Sequence, residues 1–396
     1  MVNPRFPRTL FTSPPASSGD LGVAGTDEHG HLGRWQLFGR VAMLLAILYL
    51  FLLGLYLMTG GFRLLGEDFA RELVAVTTNP FIGLFIGLLA TAVIQSSSAT
   101  TTMIVLLVAA EKITLLEAVP MVMGANVGTS ITSTIVSLGH IMNREEYQRA
   151  VAAASLHDFF NIISVAVVFG LEATTHALTD LSLYLSGLIE TRPGEDFGGV
   201  LFFVKDSAQA VIRLTGKRAA LIIPLGLAAL FVALQLLTRL LRGLVIGRIE
   251  QNLNRYVFNR PSVALLTGVF ATAAVQSSSI TTSLMVPLVA TDKIPLKKAF
   301  PFLMGANIGT TSTALLAAIV MEGPAAGAAM AVAFTHILFN LAGVLILYPI
   351  RPIRQLPIRM AEELGELTLK NRVYGVAYIV LVFFVLPFIL IFMARA

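Results

Sequence analysis

The sequence predicts an all-α integral membrane protein built from two inverted-topology repeats, each holding a re-entrant helical hairpin, with about seven full spans besides. Three observations predict it. Hydrophobic residues make up 56% of the 396 and charged residues only 13%, against about a quarter charged in soluble domains. A gapless internal repeat covers both halves. A polar Gln-Ser-Ser-Ser run interrupts one apolar stretch in each copy.

The apolar residues cluster into runs of roughly twenty, enough to cross a bilayer core as helix. Backbone polar groups in lipid must be satisfied internally, which excludes open strands. Residues 1–34 are rich in Pro, Ser, Gly and charge and read as a disordered cytoplasmic tail. The run from Trp35 to Met58 is followed by no small-residue cleavage pattern, so it reads as a span and not a signal peptide. Net charge is +5. The basic residues sit in short clusters between apolar runs, which fits loop anchoring at a membrane and not nucleic-acid binding. The chain has no cysteine, excluding disulfides, thiolate metal sites and cysteine catalysis.

Pro80–Thr132 aligns with Pro261–Thr313 at a constant shift of 181 residues, with about half of the positions identical. ATAVIQSSSATT faces ATAAVQSSSITT, and MGANVGTS faces MGANIGTT. After a change of two in the shift, His157–Asn161 (HDFFN) faces His336–Asn340 (HILFN). The segments 80–110 and 261–290 are too short to cross twice, so each is expected to dip in and return. Repeat 1 then covers 35–171 and repeat 2 covers 218–350, each with three full crossings. An odd number turns the second copy upside down relative to the first. The connections 61–79 and 172–217 fall outside on this reading. A basic linker at 351–372 precedes a final helix of 373–394. Arg34, Arg40, Arg144, Arg149, the arginines of 239–260 and those of 351–372 all fall on the inner side.

Gln95, Ser96, Ser97 and Ser98, with Gln276, Ser277, Ser278 and Ser279, are the leading site residues. One such cluster reads equally well as helix–helix glue. Two at matching places read as a solute site. A broken helix offers free N–H groups and a positive dipole end to an oxyanion. No Lys or Arg lies between Asn79 and Ala110 or from Pro261 to Ala290. Gly124–Thr129 and Gly305–Thr310 carry Asn126, Thr129, Asn307 and Thr310. Local unwinding there would free oxygens for a sodium cage, and the alternative is close packing through small residues. Asp158 is the acidic residue well inside an apolar run, a costly placement that marks function by default. His157 and His336 read as packing histidines or proton carriers. No GxSxG, HExxH or GxxxxGK[ST] occurs, which argues against an enzyme and against an ATP-driven pump.

Paired QSSS loops, each followed by GAN[VI]GT, with HDFFN after the first, resemble the type II sodium–phosphate cotransporter family over roughly residues 36–350. The resemblance implies a bacterial inner-membrane symporter of phosphate and sodium that needs no cofactor. Its movement would be an elevator or rocking motion about the hairpins, and the family pattern leaves homo-oligomers open. Gln95–Ser98 and Gln276–Ser279 would then surround phosphate. Thr129, Asn161 and Thr310 match family sodium positions, and Asn126, Asn307 and Asn340 are their neighbours or repeat partners. Ala152, Ala154 and Asp158 match the electrogenic signature, implying three sodium ions per divalent phosphate. Ala125 and Ala306 depart from the family's Ser, and His140 and Asn143 from its Gln and Asp. Two other readings stay open: a symporter of another small oxyanion or carboxylate, and a non-transporting phosphate sensor or scaffold.

Overall fold

The computed structural model describes residues 34–189, 198–252, 257–321 and 325–395. Residues 1–33 of the expected tail lie outside the described residues. The chain divides after Leu45. The described part of the first unit is the start of helix α1, and all packing below lies within the second unit.

Every element among the described residues is helical. Seven helical stretches are long and apolar enough to span a membrane: 38–63, 115–140, 144–175, 219–240, 296–319, 326–347 and 373–393. This matches the number expected. Helix α1 is Arg34–Arg63 and α2 is Glu67–Thr77. Helix α3 (Pro80–Ile94) starts with Pro80, and the side chain of Asn79 accepts from the Phe81 amide at 3.0 Å. Proline's fixed φ suits the first helical turn, where its missing N–H costs nothing.

Helix α3 stops at Gln95, whose φ of 60° is left-handed, and Ser96 is extended before α4 (Ser97–Ala109) begins. Helix α11 (Pro261–Val275) stops the same way at Gln276, φ 55°, followed by extended Ser277, α12 (Ser278–Ser283) and α13 (Met285–Ala290). A non-glycine in this region costs roughly 1–2 kcal/mol. Each glutamine offsets part of that by folding back: Gln95 Nε2 donates to Ala92 O at 2.8 Å, and Gln276 Nε2 to Ala273 O at 2.5 Å. The glutamine therefore serves as its own helix stop. Ser96 then caps the next helix, its Oγ accepting from the Ala99 amide at 3.2 Å.

Helix α3 packs on α5 (Leu115–Gly128), and α11 packs on α14 (Leu296–Ile319). The crossings are backbone on backbone. A methyl group on Gly87 or Gly124 would overlap the carbonyl oxygen of Met121 or Leu84; at Gly268 and Gly305 it would overlap those of Phe302 and Leu265. All four pairs obey the 181-residue shift. The structure thus favours the packing alternative for the glycines of the GAN[VI]GT stretches. In the first copy α5 closes at Gly128 and α6 (Ile131–Ser137) follows. In the second, α14 runs on without a break, so the expected unwinding is absent there. Close packing satisfies the backbone within the helix, and nothing forces it open.

The connections are more ordered than the sequence indicated. Helix α7 (Arg144–Thr175) is followed by α8 (Ala177–Leu188) and α9 (Gly198–Leu214), so the expected loop 172–217 is largely helical where described. The Glu172 carboxylate starts α8, accepting from the Leu178 amide at 2.7 Å and from the Thr179 hydroxyl. Helix α10 (Ala219–Asn252) and α15 (Ala326–Leu347) complete the second half. The expected basic linker is helix α16 (Arg351–Lys370). Its buried Pro357, Ile358, Ala361, Gly365 and Thr368 fall at helical spacing, and Gly365 rests on Gln148 and Ala152 of α7. Charge on the outer face hid this stripe from a reading based on apolar runs. Helix α17 (Val373–Val380), a π-helical turn at Leu381–Val385 and α18 (Leu386–Arg395) end the chain.

The two broken arms are tied at their far ends too. Arg63 Nη2 donates to Ala109 O at 3.4 Å, and Arg149 Nε donates to Ala290 O at 2.8 Å. Ala109 and Ala290 are repeat partners, and each receives a cation at a helix C-terminus, where the dipole favours one.

Candidate functional site

The two glutamine–serine breaks meet. Gln95, Ser96, Ser97 and Ser98 line one cavity of about 230 Å³ together with Gln276, Ser277, Ser278 and Ser279. Thr132, Gln235 and Thr238 supply further polar wall, and Ile94, Phe231, Leu234 and Ile280 supply the apolar wall. The halves are cross-linked around it. Thr132 Oγ1 reaches Gln95 Oε1 at 3.2 Å in its own half and Ser279 Oγ at 3.4 Å in the other. Thr313 Oγ1 reaches Gln276 Oε1 at 2.6 Å and Ser98 Oγ at 3.4 Å. Thr132 and Thr313, Ser98 and Ser279, and Gln95 and Gln276 are each 181 residues apart. Each half gives the other the contact it receives, the mark of a two-fold relation.

Among the described residues no charged side chain lines this cavity. Its polar wall is the hydroxyls of Ser and Thr and the side-chain amides of Gln95, Gln235 and Gln276. Ser97 Oγ is buried with no hydrogen-bond partner among the described residues. A buried hydroxyl left so costs about 1–3 kcal/mol, and in Ser97 that cost falls on a residue lining the cavity.

A second buried cluster joins the halves through amides. Asn161 Oδ1 accepts from Asn126 Nδ2 at 3.0 Å and from Asn307 Nδ2 at 2.5 Å, and Asn340 Nδ2 donates to Asn126 Oδ1 at 3.2 Å. His157 Nε2 pairs with Asn307 Oδ1 at 2.6 Å, and His336 Nε2 with Asn126 Oδ1 at 3.4 Å. Again each half's histidine meets the other half's asparagine. Four of the seven expected cation residues therefore gather in one place. Thr129 and Thr310 donate back to Ala125 O and Ala306 O at 3.1 and 2.9 Å, along their own helices.

Asp158 stands apart from the amides. It is fully buried, and its Oδ2 accepts from Thr134 Oγ1 at 3.2 Å. Ser130 and Tyr378 lie beside it, while Oδ1 has no partner among the described residues. No Lys or Arg pairs with it there, so this carboxylate has hydroxyl neighbours and a free oxygen, a combination that suits a small hard cation.

The Na+/Pi-cotransporter family model matches residues 50–189 and 217–359. The chain belongs to the Na+/Pi-cotransporter family. Each matched stretch of this Na+/Pi-cotransporter family member contains one QSSS break and one GAN[VI]GT stretch. The chain is 29% identical over 448 residues to sodium-dependent phosphate transport protein 2B of Pongo abelii, across 89% of this chain and 65% of that protein. Identity is 32% with the 2B protein of Mus musculus, covering 89% and 64% of the two chains. It is 30% with the 2A protein of Ovis aries, covering 88% and 66%. The chain thus spans just under two thirds of the length of the first two. No solved structure matches it. With seven candidate spans and this membership, the chain is a multi-pass membrane protein.

Sequence reasoning passed over Thr132, Thr313, Gln235 and Thr238. The first two carried a signal: they are the last identical pair of the 181-residue alignment. Gln235 and Thr238 sit on α10, outside the aligned block, and nothing local distinguishes them from other polar residues on a long helix.

Proposed function

We propose that this family member is a sodium-coupled secondary transporter that imports inorganic phosphate, held between the two QSSS breaks. The observation that carries the reading is the single uncharged, donor-rich cavity lined by all eight break residues. Hydroxyl and amide donors bind an anion without a fixed counter-charge, so the ion leaves again once its companion cations leave. The repeats, 35–171 and 218–350, would lie inverted in the membrane because each contributes an odd number of crossings. The N-terminus would be cytoplasmic and the membrane the inner one. Residues 172–217 would lie outside, and the final helix would follow the second repeat.

Sodium would act at two places. At the Asn126–Asn161–Asn307–Asn340 cluster, amide oxygens that now accept from neighbouring amide N–H groups would turn to the cation. That exchange touches both halves at once and so links cation occupancy to their relative position. Thr129 would join from the end of α5 and Thr310 from within α14. At Asp158, a further sodium would be neutralised by the carboxylate. Three sodium ions with one divalent phosphate carry one net positive charge, so an inside-negative potential adds ~2.3 kcal/mol per 100 mV to uptake.

Uptake of labelled phosphate into proteoliposomes tests the whole. Uptake should require an inward sodium gradient and should rise with an inside-negative potential. Equal competition by sulfate would favour another oxyanion as substrate, and binding without uptake would favour a sensor or scaffold. Asp158→Gly should keep sodium-driven uptake and lose the response to voltage. A variant still driven by voltage would remove Asp158 from the coupling.

A further inference from the structure

Asp158 has no acidic counterpart in the second repeat, where the aligned position is Ile337. The helix that reaches it comes after both repeats. Tyr378 of α17 brings its hydroxyl beside the Asp158 carboxylate. That hydroxyl is buried, stands outside hydrogen-bond geometry and has no partner among the described residues. Asp158 Oδ1 is in the same condition. The Tyr378 ring is held by Phe159, with centroids 5.7 Å apart, and by Phe383 at 6.3 Å. Helix α17 is pinned where Gly375 admits the Tyr147 hydroxyl, an approach that a methyl group would block. Phe383 lies in the π-helical turn Leu381–Val385, and such turns are frequent at functional sites. Beyond it α18 packs on α3, the arm that ends at Gln95.

Two adjacent buried oxygens, each without a partner, are satisfied together by one cation. A water would serve the hydroxyl but leave the carboxylate charge uncompensated, since no Lys or Arg pairs with it among the described residues. The neighbouring hydroxyls fit the same occupant. Ser130 Oγ donates to Val127 O at 2.8 Å, and Thr134 Oγ1 donates to Asp158 itself at 3.2 Å. Their protons are thus committed, and their lone pairs remain to face a cation. One carboxylate with three neutral hydroxyls is a hard-oxygen set of single negative charge. That charge matches a monovalent ion better than a divalent one, which gathers more carboxylates.

We propose that Tyr378 completes the Asp158 cation site by lending its oxygen to the ion, so that the final helix closes this site from outside the repeats. The inference rests on the reading of Asp158 as a sodium residue. It adds a residue and a helix that neither repeat contains, and it gives the first half a cation site that the second half lacks. Because the same helix continues onto α3, the site adjoins the arm that carries the first glutamine–serine break.

Thermal melts of the full-length protein in detergent, titrated with sodium chloride against choline chloride at constant ionic strength, test it. Sodium should raise the melting temperature of the wild type by mass action. Asp158→Gly should lose part of that rise, the part due to this site. In Tyr378→Phe, which keeps the ring, the sodium concentration needed to obtain that part should increase about tenfold, as when a partner of a metal ligand is lost. Its melting temperature in choline alone should hold or climb, because a buried unpaired hydroxyl has been removed. Tyr374→Phe, at an exposed position of the same helix, should change neither quantity. Tyr378→Phe added to Asp158→Gly should shift the sodium response no further. A lower melting temperature in choline with an unchanged sodium response would make Tyr378 a packing residue and overturn the proposal. So would a further shift in the double variant. An equal sodium response in wild type and Tyr378→Phe overturns this inference and leaves Asp158 in place, whereas a wild type indifferent to sodium overturns both.

Discussion

Replacing Gly124 by alanine should destabilise the purified protein by about 3 kcal/mol or more, and Gly305→Ala should do the same. The added methyl would overlap the carbonyl oxygen of Leu84 in the first case and of Leu265 in the second. Overpacking a core typically costs about 1–3 kcal/mol, because side chains can rotate away. Here the opposing atom is backbone within a regular helix, so relief requires the two helices to separate. Separation would also displace Gln95 or Gln276, since α3 and α11 lead directly into the breaks. Phosphate uptake should therefore fall with stability. Gly170 provides the contrast, because a methyl there meets nothing within 4 Å. As alanine favours a helix interior over glycine by roughly 1 kcal/mol, Gly170→Ala should leave the melting temperature unchanged or raise it. Thermal melts of the three variants in one detergent decide the matter. Equal melting temperatures would mean that the close crossings are not what holds the arms.

Ser97→Ala should move stability and function in opposite directions. Its hydroxyl is buried at the cavity without a partner among the described residues. Removing an unsatisfied buried hydroxyl should cost the fold nothing and stands to gain some fraction of the 1–3 kcal/mol penalty. A hydrogen bond to a charged group is worth about 1.5–3 kcal/mol, which is roughly ten- to hundredfold in phosphate affinity. The KM for phosphate should rise by that factor while the melting temperature holds or climbs. A lower melting temperature with unchanged KM would make Ser97 a packing residue.

Much of this was legible in the sequence because duplication recorded it twice. The 181-residue shift picked out the two Gln-Ser-Ser-Ser runs as helix interruptions, and the structure places each break at the glutamine, left-handed in both copies. It also placed the two serine runs at equivalent positions, and the structure puts both on one cavity. What stayed hidden lacked a repeat partner or an apolar signature. Helix α16 buries Ile358, Ala361 and Gly365 on one face and exposes Arg359, Glu363 and Glu366 on the other, so its composition looks like a linker. Helix α8 depends on Glu172, a carboxylate six residues before the amide it caps, too far for a local capping rule. The asparagine cluster was visible as separate residues. Its cross-half pairing was not, because Asn126 and Asn340 are brought together only by the final packing.

The native chain has no cysteine, which permits a direct test of the shared phosphate cavity. Ser96→Cys and Ser277→Cys each place one thiol at a half-buried position on the cavity, one from each half. Labelling by a small maleimide should slow at both positions when phosphate and sodium are added together. Protection at only one of them, or at neither, would contradict a phosphate site shared by the two halves.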